Sequence, residues 1–311
     1  MRCLLACLIL LPMLSMAEDM RLPPETVRLN QMAARFVPVE VRVDLSGLAD
    51  NERRALADLV KAARIVDALF MRQLWAGNEA MMLRLMEDTT LLGRARLDYF
   101  MINRGPWSRL DDNAIFVPGA PAKPEAANFY PAGATKADVE AWLKDLPEAE
   151  RAAAIGFFTT IRRDATGKFA SVPYSLEYQG ELAEMAQLLR DAAAASAEPS
   201  LKAFLDSRAA AFASNDYYAS DVAWMKLDST IDPTIGPYEV YEDGWFNYKA
   251  AFEAFITVRD AAETAKLDRF GGELQWLEDR LPMTDEFKGR IESSERQMAE
   301  GQRPRTRSVP E

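Results

Sequence analysis

The segment Thr234-Ile-Gly-Pro-Tyr-Glu-Val-Tyr-Glu-Asp243 carries acids and phenols at alternate positions. Read as a strand, its period-two alternation puts Glu239, Tyr241 and Asp243 on one face and Tyr238, Val240 and Glu242 on the other. An acid, a phenol and a second acid side by side can hold a ligand's ammonium group and hydrogen-bond its backbone. Glu253, inside Phe252-Glu-Ala-Phe255, adds another carboxylate close by in sequence. Each residue also has a plainer reading. Glu239 and Tyr241 suit a solvated strand face, and Asp243 before Gly244 suits a turn. Glu253, read on a helix, can pair with Lys249 one turn earlier for only about 0.3–0.5 kcal/mol.

Other chemistry is excluded by composition. The chain contains no histidine, and its two cysteines are Cys3 and Cys7. A typical catalytic zinc site uses at least one histidine, and a serine or cysteine nucleophile needs a histidine base. No phosphate-binding glycine loop, dinucleotide fingerprint or calcium loop is present. Carboxylate-only chemistry, or binding without catalysis, remains. No catalytic residue and no metal ligand is assigned from this sequence.

At 311 residues with 49% hydrophobic content and six tryptophans, the chain can fill a sizeable core. A formal charge of −11 argues against nucleic-acid binding and mildly favours cationic ligands such as peptide amino termini. Met1-Arg2, the apolar run Cys3 to Met13, and Ser15-Met-Ala17 read as a signal peptide over residues 1–17. That implies a periplasmic or secreted protein with no membrane attachment after cleavage. Leu4-Leu-Ala-Cys7 resembles a lipoprotein cleavage box, but almost no apolar run precedes it, so lipidation is the lesser alternative. Both cysteines lie in the signal, so the mature chain is expected to have no disulfide.

The elements that must position the candidate residues are mostly helical. Leu56, Leu59, Val60, Ala63, Val66 and Phe70 recur at helical spacing within Asp44 to Arg72, and Ala80 to Phe100 repeats the pattern. Prolines 118, 121, 124 and 131 mark a long connection. A helix capped by Thr135 is expected to run, through Leu146 to Glu150, as far as Arg163. Asp164 to Lys168 reads as a turn and Phe169 to Tyr174 as a short β piece. Helices follow over Leu176 to Ala195 and Pro199 to Ala213. Ile235 to Tyr241 is the remaining β signal, before a long helix from Tyr248 to about Phe270. Asn215-Asp-Tyr-Tyr218 with Ser220, Asp221 and Trp224 reads equally as a binding cleft or as a helix cap followed by core. The fold class is mainly α with a small β-sheet, α+β. Residues 18–288 form the folded region, and 289–311 lack periodicity and are expected to be disordered.

Several blocks occur together and in order: Asn103-Arg-Gly-Pro-Trp107, Asn128-Phe-Tyr-Pro131, Val172-Pro-Tyr-Ser175, Ser214-Asn-Asp-Tyr-Tyr218, Ser220-Asp221 with Trp224-Met225, Thr234 to Asp243, and Ala251-Phe-Glu-Ala-Phe255. The series resembles the dipeptidyl peptidase III family of zinc metallopeptidases, in its bacterial and plant branch, which includes plant proteins fused to a Nudix domain. The resemblance runs from about Leu29 to Lys288, and no Nudix box is present. It implies the N-terminal portion of a two-lobed metallopeptidase-like fold. It also implies that Glu239 binds a peptide's amino terminus, that Tyr241 contacts the substrate backbone, and that Glu253 belongs to the same site. Zinc is implied for the complete family member, on a His-Glu-x-x-His helix that this sequence does not contain. The expected function is the substrate-binding half of an exported dipeptidyl-peptidase-like hydrolase, inactive alone. The alternatives are a non-catalytic peptide-binding protein and one subunit of a split hydrolase whose partner is a C-terminal catalytic half.

Overall fold

The computed structural model describes residues 22–271 and 273–289. The expected signal segment 1–17, and the expected tail apart from Gly289, lie outside the described residues. The described residues are mainly helical and carry three separate two-stranded antiparallel ribbons. They divide into two compact units.

The smaller unit comprises the residues up to Val39 together with Ala80–Ala122. It contains α1 (Pro24–Ala33) and, after α2 (Asp50–Leu74) of the larger unit, most of α3 (Asn78–Glu87). The sequence reading ran one helix from Ala80 to Phe100. Two helices form instead, because Thr90 caps α4 (Leu91–Asn103), its hydroxyl accepting from the Gly93 N–H at 3.0 Å. The left-handed Arg104 ends α4 at φ 57°, and the ribbon β1 (Trp107–Ser108) with β2 (Ala114–Ile115) follows. The core holds Leu29, Tyr99, Phe100 and Phe116, with the Tyr99 and Phe116 rings edge-on at 4.8 Å. Arg35 donates to both oxygens of Asp111 and to the Tyr99 hydroxyl.

The larger unit comprises Glu40–Glu79 and the residues from Lys123 onward. Its helices include α5 (Lys136–Asp145), begun by a capping box between Thr135 and Asp138, and α6 (Glu148–Ala154). The expected helix to Arg163 stops at Ala154. The β-branched run Thr159-Thr-Ile161 pairs instead as β3 (Thr159–Arg163) with β4 (Phe169–Pro173) across the Asp164–Lys168 turn. Then come α7 (Tyr174–Glu177), α8 (Gln179–Ala195), α9 (Pro199–Ser214) and α10 (Tyr218–Met225). The core is one cluster in which Leu59, Val66 and Leu69 of α2 meet Leu182, Met185 and Leu189 of α8 and Phe204, Leu205 and Phe212 of α9. Each such side chain contributes about 1.5–3 kcal/mol by leaving water.

The last ribbon pairs β5 (Ile231–Glu239) with β6 (Ala251–Val258). Here the helix expected from Tyr248 to Phe270 is corrected: Ala251 to Val258 is a strand, and only α11 (Ala261–Gly271) is helical. Phe252 and Phe255 mimic helical spacing. Phe255-Ile-Thr-Val258 nevertheless prefers extended backbone, and β5 supplies the cross-strand partners. The buried Gln73 side chain fixes where β6 begins, accepting from the Phe252 N–H at 2.8 Å, while the Tyr174 hydroxyl donates to the Ala250 carbonyl. The short helix α12 (Leu274–Asp279) and one 3-10 turn, Asp285–Phe287, complete the described chain.

Candidate functional site

The candidate residues lie at one end of the β5–β6 ribbon. Ile231 and Ile235 enter the core along β5, and Phe252 does so from β6. Across the ribbon Gly236 faces Glu253 and Glu239 faces Ala251, with the register shifting between Pro237 and Glu239. Positions 251 and 253 share a face, and residues directly opposite share a face, so the Glu239 and Glu253 side chains project from the same side. The irregularity at Tyr238 makes this possible, because it adds one residue to β5.

Tyr241 follows the end of β5, and its exposed phenol donates to the Glu239 carboxylate. That bond and the nearby Glu239 charge raise the pKa of the phenol. Glu253 is half-buried, and burial together with the Glu239 charge raises its pKa above the usual carboxylate value. The three residues grouped by sequence therefore gather in space, although Glu253 approaches from a neighbouring strand and not from a helix. Two carboxylates sit side by side on a partly desolvated face. Such a face is complementary to a cation that also accepts no hydrogen bonds, as an ammonium group is.

Asp243 does not join them. β5 ends at Glu239, and Asp243 is buried in the following turn. Its carboxylate accepts from the Tyr130 hydroxyl at 2.9 Å and from the backbone N–H groups of Trp245, Phe246 and Tyr248. The plainer turn reading of this residue is the one the structure supports. Lys249, weighed as a partner for Glu253, points elsewhere. Its buried ammonium donates to the carbonyls of Ala154 and Gly156 and to the Thr159 hydroxyl. Burial pushes its pKa down to about 7, against a smaller opposing pull from Asp243.

The Asn215 to Trp224 block begins as a helix end, with Tyr217 and Ser220 buried while Tyr218 and Trp224 are exposed. Asn215 closes α9 at φ 63°, and its amide bonds the Phe158 carbonyl while its oxygen accepts from the Ser175 N–H.

Sequence reasoning missed Arg208. Its fully buried guanidinium donates to Asp221 at 2.6 Å and lies over the rings of Phe204, Tyr217 and Tyr238 at 5.3–5.4 Å. It sits directly beneath β5, where a Cβ on Gly236 would come within 2.8 Å of its Nη1. Gly236, at φ 152°, therefore has no side chain for a steric reason, and Arg208 supports the strand three residues before Glu239. The signal was its four-residue spacing from Phe204 and Phe212, which places a charge on the apolar stripe of α9.

Among the described residues no group of three or more His, Cys, Asp or Glu side chains can hold a metal ion. Two carboxylates and a phenol at the ribbon offer oxygen donors only, without the nitrogen or sulfur ligands zinc favours. The zinc implied for the family does not fit these residues.

The helical fold, with its carboxylate-bearing ribbon, matches solved peptidases. A dipeptidyl-peptidase III from Corallococcus sp. strain EGB is 61% identical with a TM-score of 0.80, over 86% of this chain and 50% of its own. The enzyme from Caldithrix abyssi is 46% identical with a TM-score of 0.78, over 84% and 49%. Residues 160–291 match peptidase family M49. Nudix hydrolase 3 of Arabidopsis thaliana is 38% identical over 85% of this chain and 40% of its own length. The chain belongs to the M49, dipeptidyl-peptidase III, family, and it spans half or less of the length of these relatives.

Proposed function

We propose that this chain is the peptide-binding part of an exported dipeptidyl-peptidase III-like hydrolase, inactive by itself, in which Glu239, Tyr241 and Glu253 receive the amino-terminal end of a peptide. The observation that carries the reading is the like-charged pair: burial and then the Glu239 charge raise the pKa of Glu253, and among the described residues no cation bonds either carboxylate. A peptide ammonium would relieve that repulsion. A charge-assisted hydrogen bond of this kind contributes about 1.5–3 kcal/mol where it is shielded from water. The exposure of Tyr241 and its bond to Glu239 support a contact from its hydroxyl to the first peptide units. The apolar start and Ser15-Met-Ala17 support export to the periplasm or beyond.

The test is calorimetric titration of a short peptide and its N-acetylated twin against the wild type and Glu239→Gln. The free amino terminus should bind more tightly than the acetylated one to wild type, and the preference should shrink about tenfold or more in the variant. Equal affinity in all four combinations would overturn the binding role. Turnover of a dipeptidyl substrate by this chain alone, with zinc added, would overturn the inactivity.

A further inference from the structure

With regular pairing along the whole of β5, the two candidate carboxylates would part. Pro237 faces Phe252, so an unbroken register would next set Tyr238 against Ala251 and Glu239 against Ala250. Glu239 would then project from the side opposite Glu253, because a slip of one residue moves a strand's side chains to the other face. The observed pairing sets Glu239 against Ala251, and Tyr238 is the extra residue. The site therefore depends on whatever holds Tyr238 in that place.

The ring of Tyr238 lies over the Arg208 guanidinium at 5.4 Å. Its hydroxyl donates to the Ile235 carbonyl at 3.4 Å, a long and weak bond, so the guanidinium is the firmer restraint. A Cβ on Gly236 would come within 2.8 Å of Arg208 Nη1 and 3.4 Å of Tyr238 Cε2. Gly236 faces Glu253 across the ribbon, so the guanidinium and the ring lie on the carboxylate side. Burial pushes the Tyr238 phenol up to about 12, with Arg208 pulling it down and the Asp221 and Glu253 charges adding to the rise. Tyr238 thus stands within electrostatic reach of both the buried ion pair and the site.

Stability alone does not account for a charge at position 208. Nε and Nη1 of Arg208 find no acceptor among the described residues, and its ion-pair partner Asp221 is half in solvent. An apolar side chain of similar volume would fill the same stripe of α9 without that desolvation. What it would lack is the planar, charged face on which the Tyr238 ring rests. We propose that Arg208 is a positioning residue of the peptide site: through the Tyr238 ring it fixes the extra residue of β5 and so keeps Glu239 on the same side as Glu253. The inference deepens the peptide-binding reading and rests on it, but its test needs no peptide.

That test is the coupling between the two carboxylates, read by NMR as the change in the Glu253 pKa on Glu239→Gln. In the wild type the substitution removes a like charge and should lower that pKa. Arg208→Lys keeps a charge opposite Asp221 but removes the planar face, and Tyr238→Leu removes the ring. In each of these backgrounds the drop should be lost, whereas Tyr238→Phe keeps the ring and should retain it. If Arg208→Lys does not fold, Tyr238→Leu decides, since that side chain is only half-buried. A purely structural Arg208 would lower the melting temperature and leave the drop intact, and that result would overturn the proposal. So would a wild type in which Glu239→Gln produces no drop. Coupling that depends on Arg208, in a chain that binds free and N-acetylated peptides alike, would sink the peptide reading and leave the alignment standing.

Discussion

Two carboxylates beside tyrosines, one in each unit, are pushed in opposite directions. Asp111 in the smaller unit is held down to about 2, chiefly by its hydrogen bonds from Arg35 and then by Ser108. Glu253 in the larger unit is pushed up by burial and by the Glu239 charge. The first carboxylate has its counter-charge within the chain, and its network is closed: Arg35 bonds Asp111 and Tyr99, and Ser108 bonds both of these in turn. The second has a like charge for a neighbour. A closed network stabilises a fold, whereas an open like-charged pair costs stability and is retained where a ligand supplies the missing charge.

The largest effect should come from disturbing the buried cation beneath the site. Asp221→Asn removes the carboxylate that balances Arg208 and should destabilise the chain by about 2–3 kcal/mol. That is less than for a fully buried pair, because half of Asp221 is in solvent. Urea unfolding measures it, and a change below about 0.5 kcal/mol would show that the aromatic rings alone compensate the guanidinium.

Next in size is Lys249. Its folded pKa lies near 7, against 10.5 for a free lysine, so the unfolded chain binds the extra proton between these values. Stability should therefore rise with pH across that window, by about 2 kcal/mol between pH 7 and 9. Lys249→Met should abolish the rise. An identical pH slope in variant and wild type would assign the effect to other groups.

The smallest effects are the sharpest test of the comparison, because their signs differ. Asp111 stabilises above the usual carboxylate pKa, and that contribution is lost as pH falls through about 2, so Asp111→Asn should lower the melting temperature at pH 7. Glu253 has a raised pKa, so its contribution is full at low pH and is lost as pH rises through that value. Glu253→Gln should then raise the melting temperature at pH 7, by less than about 1 kcal/mol in stability, and match the wild type in acid. Shifts of the same sign would dissolve the distinction between the two regions.

Much of this was legible along the chain. The helical spacing from Leu56 to Phe70, the turn at Asp164–Lys168 and the grouping of Glu239 with Tyr241 depend on neighbours a few residues away. What was hidden depends on distant partners. The strand at Ala251 reads as a helix until β5 faces it. Arg208 is a core residue only because Asp221, Tyr238 and the bare Cα of Gly236 converge on it. Asp243 looked like the third member of a strand face, and its burial is set by Tyr130, 113 residues earlier in the chain.

The central claim is that the raised pKa of Glu253 marks a place for a peptide ammonium. It is tested most directly by following the Glu253 carboxyl carbon through a pH titration by NMR, with and without a short peptide. The account predicts a raised pKa in the free chain that falls when the peptide binds and stays raised with the N-acetylated twin. A Glu253 pKa indifferent to both peptides at saturating concentration would contradict it.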